Sequence, residues 1–202
     1  MNKNKNSIMD LSKINESILK EKQNIAVISF GGCSSNTLND ILTKNGYKSG
    51  GETYGKILCH CPSPIKLDIP VIYLYRDPKE ALLSMKRRGK GYWDVNQQKL
   101  SNSKNINYSD GNLLKLMIQQ FFRWTSYKGN KMLILKYEEL FDEKINNKLN
   151  TFLNNDKLTN FPIKYVKPHI NSNTIDMLDI GYNKLFKKYK NELNYINNFP
   201  IT

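Results

Sequence analysis

Arg76 and Ser84 lie eight residues apart, with Asp77 and Pro78 directly after the arginine. A forked, permanently charged donor and a hydroxyl converging on one point suit a phosphate. On spacing alone they equally suit a surface ion pair and a solvated helical serine. A second candidate is GGCSSNT at residues 31–37, where Gly31 and Gly32 let the backbone approach a ligand closely and Ser34, Ser35, Asn36 and Thr37 add donors. The third is His60, between Cys59 and Cys61. That trio reads either as part of a metal site or as a structural histidine. The only other histidine is His169 and the only other cysteine Cys33, which leaves a metal few partners.

Two strand-to-helix turns must position these groups. Residues 71–75, VIYLY, are a short β-branched and aromatic run after Pro70, the pattern of a buried parallel strand. Asp77 is a good N-cap, Pro78 fits the first helical position, and Glu80 completes a capping box. Arg76 then sits at the apex of the turn, and Ser84, about two helical turns beyond Asp77, faces the same side. Residues 24–30, NIAVISF, read as the first buried strand, and Leu38, Ile41 and Leu42 as the face of a helix closed by Gly46. Strand, small-residue loop and helix cradle phosphate because free N–H groups and the positive helix end point into the loop. On its own the same loop equally reads as a plain helix-capping turn. The GxxxxGK[ST] pattern of nucleotide triphosphatases is absent.

In type, order and spacing, YRDPKEALLS resembles the 3'-phosphate-binding motif of sulfotransferases, where an arginine and a serine hold the 3'-phosphate of the sulfate donor PAPS. SFGGCSSNTL is similar to that family's 5'-phosphosulfate loop, usually written like SYPKSGTTWL. Ser29, Phe30 and Leu38 keep the frame, and Ser35 and Asn36 stand where two threonines are usual. His60, with Pro62 two residues later, resembles the K-T-H-x-P element whose histidine is the family's catalytic base; Leu58 takes the place of its lysine. LILKYEEL resembles the late element VLxLxYEDL.

The resemblance spans residues 24–155 in the family's order. It implies PAPS as donor and PAP as product, with His60 as general base. It implies Gly31, Gly32, Cys33, Ser34, Ser35, Asn36 and Thr37 around the phosphosulfate, and Arg76 with Ser84 on the 3'-phosphate. The family's loop lysine, however, falls on Gly32 and its loop glycine on Ser34. Lys44, Lys56 and Arg88 are the cations considered in its place, and the late R-K-G element of soluble sulfotransferases is absent.

The expected fold is α/β and three-layered: a mainly parallel sheet, helices on both faces, and the ligand at the carboxyl ends of the strands, as in a P-loop nucleotide-binding-like sulfotransferase fold. A single domain over residues 1–202 is expected, with an N-terminal helix over 7–20 and a helical tail over 174–197. Leu113, Leu114, Met117, Ile118, Phe121, Phe122 and Trp124 recur at helical spacing, as do Ile145, Leu149, Phe152 and Leu153. Residues 89–110 are polar and without period, and are expected as a long loop; residues 56–59 are expected as a further strand.

Lys and Arg number 31 against 18 Asp and Glu, and the resulting charge of +13 favours an anionic partner. A nucleic-acid-binding protein is the less favoured reading, since no helix-turn-helix, zinc-finger or RNA-recognition motif is present. Three cysteines build no disulfide framework and suit a reducing compartment. The N-terminus has no apolar core of signal-peptide type, and no run approaches the about 20 apolar residues of a membrane span. A soluble, cytoplasmic product is expected. The function expected is sulfuryl transfer from PAPS to a hydroxyl or amine of an unidentified acceptor, such as a glycan or small hydroxyl compound. Gly32 motivates a second reading, a PAP- or PAPS-binding protein that has lost transfer.

Overall fold

The computed structural model describes residues 24–49, 58–103, 109–155, 158 and 183–200. Strands β1 (Ala26–Ile28), β2 (Val71–Tyr75) and β3 (Met132–Lys136) form a parallel sheet in that order. Ala26 pairs with Val71 and Ile28 with Tyr73, while Val71 pairs with Met132 and Tyr75 with Lys136. Every residue of β1 and β2 is buried, so both faces are covered, and this is why their sequences are continuous apolar runs rather than alternating ones.

A parallel bridge joins Asn24 to Lys48, just after the first helix. The N–H of Ile25 donates to the Lys48 carbonyl at 3.5 Å, whereas that of Ala26 donates to the Pro70 carbonyl at 3.0 Å. Successive backbone groups of a strand point to opposite sides. The chain therefore leaves β1 towards one side to reach Lys48, then crosses to the other side to form β2. In open parallel sheets the ligand crevice forms where the order reverses in this way, here at the carboxyl end of β1. The right-handed crossover rule assigns α1 (Ser35–Lys44) to one face. It assigns α2 (Pro78–Arg87), α3 (Lys90–Ser101) and α4 (Asp110–Ser126) to the other.

The apolar stripe of α4 packs on β2. Tyr73 stacks on Trp124 with ring centroids 6.2 Å apart, and Tyr75 meets Phe121 edge-on at 5.0 Å. After β3 come a 3-10 turn (Tyr137–Phe141) and α5 (Ile145–Leu153), which buries Ile145 and Leu149 as their spacing predicts. The terminal helix α6 (Lys190–Asn197) buries Leu193 and Ile196, and Phe199 beyond it packs against Phe121 at 5.2 Å. Among the described residues no helix is long and apolar enough to cross a membrane.

Three expectations are corrected. Residues 89–110 are not one loop, because residues 90–101 form α3. That helix buries Trp93, Asn96, Gln97 and Leu100, so half of its inward set is polar and no apolar period announces it. Residues 58–60 turn instead of extending as a strand, and residues 56 and 57 lie outside the described set. At α2, Asp77 caps the Lys79 N–H at 2.8 Å and Pro78 takes the first position. Glu80 closes no capping box; it pairs with Arg76 at 3.6 Å. The helix expected over 7–20 lies outside the described residues, as does 174–182 of the tail, while residues 183–188 are helical.

Candidate functional site

The loop between β1 and α1 is built from backbone that an ordinary residue resists. Gly31 and Gly32 have φ of 95° and 68°, and Ser34 sits at 59° in the left-handed region. A β-carbon on Gly32 would lie 2.5 Å from the Ala81 carbonyl oxygen and 2.9 Å from the Ala81 α-carbon. Position 32 therefore carries no side chain without displacing α2. Ser34 occupies the N-cap position but its side chain makes no capping bond. The Gly31 N–H donates to Ser29 Oγ at 3.3 Å, while the N–H groups of Gly32, Cys33, Ser34, Ser35, Asn36 and Thr37 meet no acceptor among the described residues. Six amides without an acceptor among the described residues, at the positive end of a helix, suit an anion.

Cys33 contributes only its backbone. Its thiol donates to the Gly31 carbonyl at 3.1 Å, and burial pushes it far above the usual thiol range despite the nearby Arg76 charge. It stays a neutral packing group.

Of the other expected residues, Arg76 bonds the loop directly, His60 reaches the Ser29 carbonyl at its edge, and Ser84 makes no hydrogen bond to it among the described residues. Arg76, at the end of β2, donates from Nη1 to the Gly32 carbonyl at 3.3 Å, pairs with Glu80, and lies over the Tyr137 ring at 4.2 Å. Its Nε is buried without an acceptor. Of its five guanidinium donors one goes to Gly32, one faces Glu80 and the Nε–H is enclosed, which leaves two for a ligand. Ala81 of α2 backs the loop, and Ser84 stands one helical turn later on that flank, half-exposed and without a side-chain hydrogen bond among the described residues.

His60 is 7% exposed, and its Nδ1 lies 2.9 Å from the Ser29 carbonyl. A carbonyl only accepts, so Nδ1 carries the proton, and the same ring hydrogen-bonds the Cys59 thiol. The Ser29 N–H returns a bond to the Cys59 carbonyl at 2.7 Å, which locks the 58–60 turn to the end of β1. Burial pushes the Cys59 thiol up. The charge of His60 and a hydrogen bond with it, aided by Lys99, outweigh this and bring it down to about 7. Burial carries Cys61 the other way, up to about 11, and its thiol donates to the Ser63 carbonyl at 3.0 Å. Among the described residues no three His, Cys, Asp or Glu side chains are placed to hold a metal ion.

Two groups of residues here escaped the sequence reading. Gln120 of α4 is buried, accepts from the Tyr73 hydroxyl at 3.3 Å, and donates to the carbonyls of Ser29 at 3.2 Å and Cys61 at 2.8 Å. Trp124 Nε1 donates to the same Cys61 carbonyl at 2.9 Å. A lone amide within the stripe from Leu113 to Trp124 was the available signal. The second group, Asn96 and Lys99 of α3, had none, because that helix has no apolar period. Of the cations considered for the loop, Lys44 ends α1, exposed and about 14 Å along the helix from its start. Arg88 is exposed and bonded to the Tyr92 hydroxyl at 2.9 Å. Lys56 lies outside the described residues.

A cavity of about 370 Å³ lies between the end of α4, β3 and Phe199, but none of the loop residues, His60, Arg76 or Ser84 lines it. Compared with protein-family models, with curated proteins and with solved structures, the chain matches none.

Proposed function

We propose that this protein is a sulfotransferase that moves a sulfuryl group from PAPS to a hydroxyl or amine. The observation that carries the reading is the run of amides at residues 32–37 without an acceptor among the described residues, flanked by His60 through Ser29 and by Arg76 through Gly32. The loop amides hold the phosphosulfate and stabilise charge as it develops on the transferring group. Arg76 and Ser84 hold the 3'-phosphate and so fix the donor's register against the loop. His60 Nε2 takes the proton of the acceptor as its oxygen or nitrogen bonds to sulfur. The bond from sulfur to the bridging oxygen breaks, and PAP leaves with that electron pair. Labelled PAPS offered with a panel of phenols, amines and glycans tests this. Transfer that His60→Gln abolishes supports the reading, and label that passes to no member of the panel while PAP binds favours the second one.

That second reading is a PAP-binding protein without transfer. It draws on Gly32, where the packing on Ala81 leaves no room for the lysine that the resemblance would put there.

A further inference from the structure

Sulfuryl transfer leaves negative charge on the bridging oxygen, and a site with no cation beside it runs slowly. Position 32 is closed to any side chain, so the charge must come from outside the loop. α2 closes position 32 through Ala81, and α3 packs on the neighbouring Gly31 through Asn96. Asn96, 1% exposed, sends its Nδ2 to the Tyr92 carbonyl at 2.8 Å. Because that carbonyl only accepts, the amide orientation is fixed and Oδ1 is the end directed at the loop, 2.5 Å from where a Gly31 β-carbon would be. This oxygen has no donor. One turn later on the same helix face stands Lys99, half-buried, with no carboxylate partner among the described residues.

We propose that Lys99 is the cation of the transfer site, reaching the loop from α3, and that Asn96 Oδ1 receives the hydrogen-bond donor of the incoming acceptor. This rests on the sulfotransferase reading. A phosphosulfate carries no proton at neutral pH, so it cannot satisfy Asn96, whereas an acceptor O–H or N–H can. Lys99 neutralises charge, His60 takes the proton of the attacking atom, and Asn96 Oδ1 holds a second donor of the acceptor, the other N–H of an amine or a neighbouring hydroxyl. The Lys99 charge is also one of those that lower the Cys59 thiol next to His60.

Cys59 gives a built-in reporter. Its surroundings are His60 and Cys61 on its own turn and Lys99 from α3. Thiolate absorbance read between pH 6 and 8.5 follows Cys59 alone, because Cys33 and Cys61 titrate higher. Lys99→Met should move the Cys59 midpoint upward, Lys99→Arg should restore it, and inorganic sulfate should raise it in the wild type but not in Lys99→Met. Calorimetry should show PAPS binding weakened about tenfold or more by Lys99→Met, with adenosine 3'-monophosphate, which lacks the sulfuryl end, changed less than about twofold. An unmoved Cys59 midpoint in Lys99→Met, or equal PAPS affinity in the two proteins, overturns the role of Lys99 and leaves the donor reading intact. A wild type that binds no PAPS sinks the donor reading. The sulfate arm then decides separately whether an anion site exists at Lys99.

Discussion

The guanidinium of Arg76 donates to the carbonyl of Gly32 at 3.3 Å, so the residue that ends β2 is tied to the loop that ends β1. The two strands are neighbours in the sheet, and the bond closes the gap between their carboxyl ends. Arg76→Ala removes this bond and the stacking on Tyr137. We expect a loss of about 1–3 kcal/mol in chemical denaturation. Arg76→Lys keeps the charge but not the fork, and should recover less than half of it.

Gly32 and Gly46 share a positive φ, 68° and 88°, but only Gly32 meets other atoms where a β-carbon would go. Gly46→Ala should cost about 1 kcal/mol through backbone strain alone. Gly32→Ala should cost about 2 kcal/mol or more, since α2 must also move. By the same argument Gly32→Lys restores the resembled motif on paper and destabilises the loop in practice. Urea titrations of the alanine pair check this, and equal losses would remove the steric argument.

Much of this was legible before the coordinates. β2 and the start of α2 follow from a short apolar run and from Asp77-Pro78, signals that act within a few residues. Asn96, Lys99 and Gln120 were not legible in the same way. Their roles depend on where α3 and α4 land against the 29–32 and 59–61 backbone, contacts between segments distant in sequence. Polar burial leaves no periodic trace, which is why residues 89–110 read as a loop.

Gln120→Leu should isolate the Tyr73 hydroxyl, which then lacks its acceptor within the core. The expected cost is about 1–3 kcal/mol. The Ser29 carbonyl loses one of its two side-chain donors and keeps His60. The ring signals of His60 should therefore shift in nuclear magnetic resonance. An unchanged His60 spectrum would show that α4 does not position the imidazole.

The three thiols give stability a defined pH dependence. Against burial, which raises it, His60 and Lys99 bring the Cys59 thiol down to about 7 in the folded protein, below its unfolded value, so the unfolded chain holds more protons between those values. Stability should rise with pH from about 7 to about 8.5 and be lost as pH falls through 7. Cys61, pushed up to about 11, and Cys33, pushed higher still by burial, act with the opposite sign: the folded protein then holds the extra protons, and stability falls above about 9. Cys59→Ser should flatten the rise at lower pH and leave the fall at higher pH. Denaturation midpoints at half-unit pH steps would reveal either pattern.

On the proposed reading, a nucleotide carrying both a 5'-phosphate and a 3'-phosphate binds across the loop and Arg76. Isothermal titration with PAP, beside adenosine 5'-monophosphate, measures this, with Arg76→Ala and Ser84→Ala as controls. Micromolar binding of PAP is expected, with at least about tenfold weaker binding without the 3'-phosphate and weaker PAP binding in both variants. No PAP binding by the folded wild-type protein, or equal binding of both nucleotides, would contradict it.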